Sequence, residues 1–213
     1  MKDLLSEIES YWTTRAEGYS EVNHKELNGM QKGAWLEVLK GQFPEKVKDE
    51  IKILDIGTGP GFFSCYSGWR RDIRVTAVDY TQEMLDTAKR NAGNLCERIS
   101  FYKMDAQNLE FEDDVFDVVI MQESDMDLKD PKRAYEEWCR VLKPGGKLLN
   151  FDATGTVIFM MRKNACLMRK TERVWRVSIW MIITSVRILT EWRRLHCRCL
   201  FLLLTDRPGT GSF

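Results

Sequence analysis

The stretch that decides the fold is Leu54-Asp-Ile-Gly-Thr-Gly-Pro-Gly-Phe62. It ends a short β-branched run, Ile51–Ile56, and it precedes a segment, 62–71, that suits a helix. Because glycine has no Cβ, the turn between them can be tight and a ligand can approach the backbone closely. The following helix would direct its positive N-terminus toward the same place. The stretch therefore predicts a strand–turn–helix unit that binds a ligand.

Strands and helices alternate after this unit. The sequence predicts strands over 73–78, 99–103, 116–121 and 147–151, and helices over 81–91 and 130–142. Two more amphipathic helices, over 3–19 and 24–40, precede the first strand and are expected to lie over the domain rather than in its sheet. This alternation indicates βαβ units. We therefore predict an α/β fold, Rossmann-like and doubly wound, with a mostly parallel sheet in a three-layer α/β/α arrangement.

Acidic residues stand at the carboxyl ends of three successive strands. Asp55 lies two residues before the first glycine of the turn, Asp79 closes the second strand, and Asp105 follows the third. A carboxylate at the end of the second strand can accept hydrogen bonds from both hydroxyls of a ribose. Asp105 would face an adenine ring. The three acids together predict a nucleoside site at one edge of the sheet.

The residue at position 62 separates two classes of nucleotide. The dinucleotide fingerprint G-x-G-x-x-G needs a small residue there, and this chain has Phe62. Asp55, so close to the turn, suits a ligand with an ammonium group and a sulfonium better than a pyrophosphate. S-adenosyl-L-methionine is therefore favoured over NAD.

These motifs resemble those of the class I S-adenosylmethionine-dependent methyltransferases, in particular the small-molecule, ubiquinone/menaquinone-methyltransferase-like group. The resemblance covers about residues 8–153. It rests on Asp55-x-Gly57-x-Gly59-x-Gly61, Val78-Asp79-Tyr80-Thr-x-x-Met84, Asp105-Ala106, Phe116-Asp117-Val118-Val119 and Leu142-Lys-Pro-Gly-Gly146.

The resemblance implies a cofactor-binding role for the matched residues. Asp55, Gly57 and Gly59 would hold the methionine part, Asp79 the ribose, and Asp105 with Ala106 the adenine. Gly61, Tyr80 and Met84 belong to the same motifs, and Gln122 would line the pocket beneath the sulfonium. No catalytic residue and no metal ligand is predicted, because a sulfonium is already activated and alignment accounts for most of the rate.

The first helix resembles the lid of relatives, in which an aromatic residue closes over the cofactor. Its pattern is Tyr11-Trp12-x-x-Arg15-Ala16-x-x-Tyr19. Tyr11 and Tyr19 are thus predicted to contact the cofactor, and simple core packing of an amphipathic helix is the alternative.

Charge and composition limit the partners. Residues 1–153 contain 21 Lys and Arg against 29 Asp and Glu and lack an Asn/Asp-Pro-Pro-Tyr/Phe motif, which argues against a nucleic-acid methyltransferase. The longest uncharged apolar stretch, Val177–Val186, is too short to cross a bilayer. We predict a cytoplasmic methyltransferase acting on a small-molecule acceptor, without nucleic-acid or membrane partners. The alternative is a non-catalytic nucleotide-binding or regulatory module, and the oligomeric state is not predicted.

The sequence changes character after residue 153. Residues 154–213 contain 11 Lys and Arg against 3 Asp and Glu, and lack the strands that end relatives of this group. Codons compatible with Ala153–Ala165 can be read in a shifted frame as Asn-Trp-Tyr and further residues that resemble those relatives. We therefore divide the chain into lid helices (1–45), a cofactor-binding core (46–153) and an atypical basic tail (154–213). The tail is interpreted as out-of-frame, with a basic helix over 172–194 as the alternative, and the out-of-frame tail is expected to impair stability and activity.

Overall fold

The computed structural model describes residues 4–29, 32–44, 50–68, 70–122, 128–151 and 157–161. The helices are α1 (Leu4–Asn28), α2 (Lys32–Gln42), α3 (Phe62–Ser67), α4 (Gln82–Ala92) and α5 (Pro131–Val141). The strands are β1 (Ile51–Ile56), β2 (Ile73–Asp79), β3 (Ile99–Lys103), β4 (Phe116–Gln122), β5 (Leu142–Phe151) and β6 (Val157–Met161). A 3₁₀ turn, Gly93–Arg98, connects α4 to β3.

The strands form one sheet in the order β3-β2-β1-β4-β5-β6. β1 to β5 are parallel, and β6 is antiparallel to β5. The chain winds from β1 outward through β2 to β3 and then returns to β4 on the other side of β1. The gap between the carboxyl ends of β1 and β4 is thus the place where ligands bind in open α/β sheets.

Apolar residues fill both faces of the sheet. Ile51, Ile53, Leu54 and Ile56 of β1 are 0% exposed, as expected for a central parallel strand covered on both sides. One face packs against α2 and α3 through a cluster that includes Trp35. The opposite face packs against α5 through a cluster centred on residues such as Trp138 and Leu148. The predicted three-layer α/β/α fold is confirmed.

The N-terminal helices lie over the domain and outside its sheet, as predicted, but their bounds differ. α1 is one helix of 25 residues, not a helix that ends at residue 19, and α2 begins only at Lys32. Residues 20–28 are mostly polar, and Ser20 and Asn23 are buried where α1 packs on the domain. Tertiary contact therefore extends the helix beyond its apolar pattern. α3 is shorter than predicted and ends at Ser67, before Gly68.

The end of the sheet corrects two predictions. β5 begins at Leu142 and includes the Pro144-Gly145-Gly146 segment, which interrupts its register against β4 between Phe116 and Val118. The expectation that no strand follows residue 153, leaving the edge of β5 open, is wrong. β6 pairs with residues 147–151 of β5, because an antiparallel return can satisfy the free backbone groups of that edge. Residues 162–213 of the tail, including the alternative helix over 172–194, lie outside the described residues.

Within the described part of the chain, no helix is both long enough and apolar enough to span a bilayer.

Candidate functional site

A cavity of about 330 Å³ opens at the carboxyl ends of β1, β2 and β3, beneath α1. Four segments of the domain line it: the glycine turn after β1, the β2–α4 junction, the loop after β3, and the end of the β4–α5 connection at Leu128. Their lining residues are Gly57, Gly59, Val78, Asp79, Tyr80, Thr81, Met84, Met104, Asp105, Ala106, Gln107 and Leu128. From α1, the cavity is lined by Leu5, Ile8, Tyr11, Trp12 and Tyr19.

Asp79, the last residue of β2, connects two of these segments. Its Oδ2 accepts the backbone N–H of Gly59 at 2.9 Å, and its Oδ1 accepts the backbone N–H of Thr81 at 2.8 Å. Burial raises the pKa of the Asp79 carboxyl, whereas these N–H donors lower it. The Thr81 side chain and the Tyr80 backbone N–H also donate to this carboxyl. Because Asp79 lines the cavity at the end of β2, its carboxylate can accept hydrogen bonds from the hydroxyls of a ribose bound there.

Two glycines of the turn have different tasks. Gly59 has φ +52°, and a Cβ there would lie 3.9 Å from Cε1 of Tyr19, so that a side chain would occupy the space between the turn and the lid. Gly61 has φ +89°, and a Cβ would lie 3.1 Å from Cβ of Ala88. Gly61 therefore serves the close packing of the turn against α4. It does not line the cavity.

Asp55 lies behind the turn. It is 2% exposed, and its Oδ2 accepts the hydroxyls of Thr58 at 2.7 Å and Ser64 at 2.6 Å. Burial raises the pKa of Asp55 to about 6, although the Ser64 and Thr58 hydrogen bonds oppose that shift. The carboxyl thus ties the turn to the first residues of α3. Direct contact of Asp55 with the cofactor stays a prediction.

The loop after β3 is held by α5. The Trp138 indole, fully buried, donates Nε1–H to the carbonyl of Ala106 at 2.9 Å. Glu137 Oε2 accepts the N–H of Leu109 at 3.1 Å, and Arg140 donates to the Leu109 carbonyl at 2.9 Å. Paired with Glu137, Arg140 keeps its charge, and the pKa of Glu137 is lowered by the same contact. The position of Ala106 beside the cavity is therefore set from the opposite side of the loop.

The first half of α1 covers the cavity with aromatic rings. The ring centroids of Trp12 and Tyr19 are 5.7 Å apart in an edge-to-face arrangement, and those of Tyr11 and Trp12 are 5.2 Å apart. Glu9 of α1 pairs with Lys103 at the end of β3 at 2.6 Å. The residues of α1 that line the cavity thus cover it, and the exposed Glu9–Lys103 ion pair lies at the rim of this cover.

The second half of α1 is attached to α4. Asn91 donates its side-chain N–H groups to Ser20 Oγ at 3.0 Å and to the carbonyl of Pro60 at 2.9 Å, and its Oδ1 lies 2.7 Å from His24 Nε2. One amide therefore connects the lid helix, α4 and the glycine turn.

Nine of the twelve residues predicted to bind the cofactor line this cavity: Tyr11, Tyr19, Gly57, Gly59, Asp79, Tyr80, Met84, Asp105 and Ala106. Asp55 and Gly61 lie behind it. Gln122 is the last residue of β4, and its side chain lies outside the described part of the structure.

The sequence interpretation did not assign the lining residues Leu5, Ile8 and Trp12, although their spacing along α1 places them on the same stripe as Tyr19. It also missed Gln107, for which no motif gave a signal.

Comparisons with known proteins agree with the geometry. Residues 54–150 match the family described as a methyltransferase domain. Demethylmenaquinone methyltransferase of Clavibacter sepedonicus is 31% identical over 120 residues, 56% of this chain and 48% of the relative. A proposed S-adenosylmethionine-dependent methyltransferase of Methanococcus maripaludis superposes with a TM-score of 0.58 at 27% identity, covering 66% of this chain and 63% of the other. Phosphoethanolamine N-methyltransferase 2 of Haemonchus contortus, in complex with S-adenosyl-L-methionine, gives 0.50 at 31% identity over 57% and 28% of the two chains.

Residues 54–150 are therefore similar to S-adenosylmethionine-dependent methyltransferase domains, and the comparisons support S-adenosyl-L-methionine as the cofactor of this cavity. The residues fit that ligand, since the Asp79 carboxylate lines the cavity and the glycine turn presents backbone without side chains. The chain spans about half the length of the Clavibacter relative, at 48%. The reaction of the whole protein is therefore treated as a proposal.

Proposed function

We propose that this protein transfers a methyl group from S-adenosyl-L-methionine to a small-molecule acceptor. The observation that carries the proposal is the Asp79 carboxylate, which lines the cavity at the end of β2 and is held by the backbone N–H groups of Gly59 and Thr81. The relatives act on a demethylated menaquinone and on phosphoethanolamine, as their names state. Both acceptors are small molecules, which supports an acceptor of that size here.

The cofactor supplies an electrophilic methyl carbon on a sulfonium, so that the protein has to bind, orient and exclude water. Asp79 would hold the ribose, Asp105 and Ala106 the adenine, and the glycine turn the methionine part. The apolar side chains that α1 places over the cavity, Leu5, Ile8 and Trp12, would keep water from the site. No described lining residue is His, Lys or Cys, and displacement at a sulfonium needs a base only if the acceptor must lose a proton.

The same observation favours a second candidate, a non-catalytic nucleotide-binding or regulatory module. Calorimetry with S-adenosyl-L-methionine, S-adenosylhomocysteine and NAD tests the cofactor: binding of the first two but not of NAD supports the proposal, and a preference for NAD contradicts it. Methyl transfer from labelled cofactor to a panel of amines, thiols, phenols and quinols then separates the enzyme from the module. Binding without transfer to any of them favours the module.

We also propose the division into lid helices, core and tail. We propose further that residues 154–213 have an out-of-frame origin and that this lowers stability and activity. A cytoplasmic location is likewise a proposal. The opposite charge balance of residues 1–153 and residues 154–213 supports the division and the out-of-frame origin. Sequencing the gene tests the origin, because codons that cannot give the family-like peptide in the shifted frame exclude it. Activity can then be compared between this chain and one with the frame restored after residue 153. Equal activity and a cooperative thermal transition above about 55 °C, as in intact mesophilic domains, would contradict the expected impairment.

A further inference from the structure

We infer that Gln107 is a positioning residue that sets which purine the cavity accepts, by holding the Asp105 carboxylate as an acceptor for a 6-amino group. The inference rests on the proposed function, because it requires the nucleoside of the cofactor to occupy the cavity. Gln107 lines that cavity and is only 7% exposed, which is unusual for a side-chain amide and requires partners for its polar atoms.

The partners of Gln107 fix the orientation of its amide. Nε2 donates to Asp105 Oδ1 at 3.1 Å, and Oε1 accepts the backbone N–H of Asp130 at 2.6 Å. A reversed amide would place oxygen against a carboxylate oxygen and an N–H against an N–H. Only one orientation is therefore compatible with the neighbours, and in that orientation the amide always donates toward Asp105.

This contact divides the two oxygens of Asp105. Oδ1 accepts both the Gln107 side chain and the Gln107 backbone N–H, the latter at 2.8 Å. Among the described residues, no hydrogen bond reaches Oδ2, and Asp105 lines the cavity. With Oδ1 held on the protein side, the carboxylate cannot rotate freely and presents Oδ2 as its available acceptor.

A fixed carboxylate oxygen discriminates between purines. The 6-amino group of adenine donates a hydrogen bond, whereas the 6-oxo group of hypoxanthine presents another acceptor, which the carboxylate repels. Sites built to accept from an N–H reject the analogue that lacks it far more strongly than apolar pockets reject a size difference. We therefore expect selectivity for 6-aminopurine over 6-oxopurine, and we expect it to depend on Gln107.

The link to Asp130 provides a selective variant. Asp130 is the N-cap residue of α5 and its backbone N–H needs an acceptor. Gln107→Glu keeps an oxygen for that N–H but replaces the donor with a second carboxylate beside Asp105. Gln107→Ala removes both contacts. Asn108→Ala is the matched control, because the Asn108 side chain contacts Arg133 and not Asp105.

The experiment is calorimetry of the full chain at pH 8 with two ligands, S-adenosylhomocysteine and its hypoxanthine analogue, S-inosylhomocysteine. We expect the unaltered chain to bind the adenine ligand at least about tenfold more tightly. Gln107→Glu and Gln107→Ala should each lower that ratio severalfold, and Asn108→Ala should keep it.

Equal affinity of the unaltered chain for both ligands overturns the inference, whatever the variants do. An affinity ratio in Gln107→Glu or in Gln107→Ala equal to that of the unaltered chain also overturns it. If Gln107→Ala does not fold, the unaltered chain and Gln107→Glu decide. If the unaltered chain binds neither ligand, the proposed function itself has failed. That pattern is distinct from binding of both ligands without preference.

Discussion

The two sides of the cavity are built differently. On the side proposed to hold the ribose (the ribose side), Asp79 binds the backbone of the glycine turn and of the β2–α4 junction directly. On the side proposed to hold the adenine (the base side), Ala106 and its loop are positioned by α5, through Trp138, Glu137 and Arg140. The first side is stabilised by a residue that itself faces the ligand, and the second by residues that never reach it. Substitutions should therefore affect binding on one side and stability on the other.

The largest effect is expected at Asp79. In Asp79→Asn, one acceptor becomes a donor that faces either the Gly59 or the Thr81 N–H, and the charge that we propose to hold two ribose hydroxyls is lost. Hydrogen bonds to charged groups contribute about 1.5–3 kcal/mol each, so affinity for S-adenosylhomocysteine should fall by roughly 10²–10⁴-fold. Calorimetry measures this, with Asp86→Asn on the exposed face of α4 as control. A loss below about threefold would place the ribose elsewhere.

The next effect concerns the free energy of unfolding and its dependence on pH. Burial raises the pKa of Asp55 from 3.8 to about 6, so between these values the native state holds a proton that the unfolded chain has released. The contribution of Asp55 to the free energy of unfolding is therefore complete below pH 3.8 and decreases as pH rises to about 6, by about 3 kcal/mol in all.

Asp55→Asn cannot titrate and should lose this part of the slope. Urea unfolding at pH 4, 5, 6 and 7 compares it with the unaltered chain, and Asp86→Asn again serves as control. Parallel pH profiles of the two chains would show that Asp55 titrates normally. Asp55 supports the ribose side of the cavity from behind, as α5 supports the base side, so this variant tests the stability of the ribose side.

A smaller effect is expected on the base side. Trp138→Phe keeps an aromatic ring in the core but leaves the Ala106 carbonyl without its donor. We expect a loss of about 1–3 kcal/mol in the free energy of unfolding, and at most a severalfold loss of cofactor affinity. Urea unfolding and calorimetry on the same sample measure the two quantities. If affinity falls a hundredfold while the free energy of unfolding is unchanged, α5 determines binding and the expected difference between the two sides is contradicted.

The smallest effect is expected at the rim of the lid. Glu9 and Lys103 form an exposed ion pair, and such pairs contribute about 0–1 kcal/mol, less at high salt. Lys103→Met should change affinity for S-adenosylhomocysteine by less than about fivefold at 0.15 M salt, and by less still at 1 M salt. An effect larger than that of Trp138→Phe would make this contact a principal determinant of closure.

The comparison also explains what the sequence could predict. β1 and its turn are readable because a central strand is apolar along its whole length and the turn needs glycine at fixed positions. Asp79 and Asp105 are readable because parallel strands bring their carboxyl ends to one edge. Gln107 is not readable, because its task depends on an N–H that lies 23 residues away and meets it only in the folded state.

The bounds of α1 and the last strand escaped prediction for similar reasons. Polar residues 20–28 give no amphipathic signal, and Ser20 is buried through contact with Asn91 of α4. β6 lies in a segment whose composition differs from that of the core and from that of the relatives. No sequence pattern therefore predicted its pairing with the free edge of β5.

The attachment of α1 has a consequence for ligand exchange. A helix of 25 residues is about 37 Å long, and here its first half roofs the cavity while its second half is bound to α4. We expect this helix to tilt about its contact with Asn91 when the nucleoside enters or leaves the cavity. Because Asn91 also holds the Pro60 carbonyl of the glycine turn, we expect substitutions at Asn91 to change the rate of cofactor exchange, although Asn91 does not line the cavity.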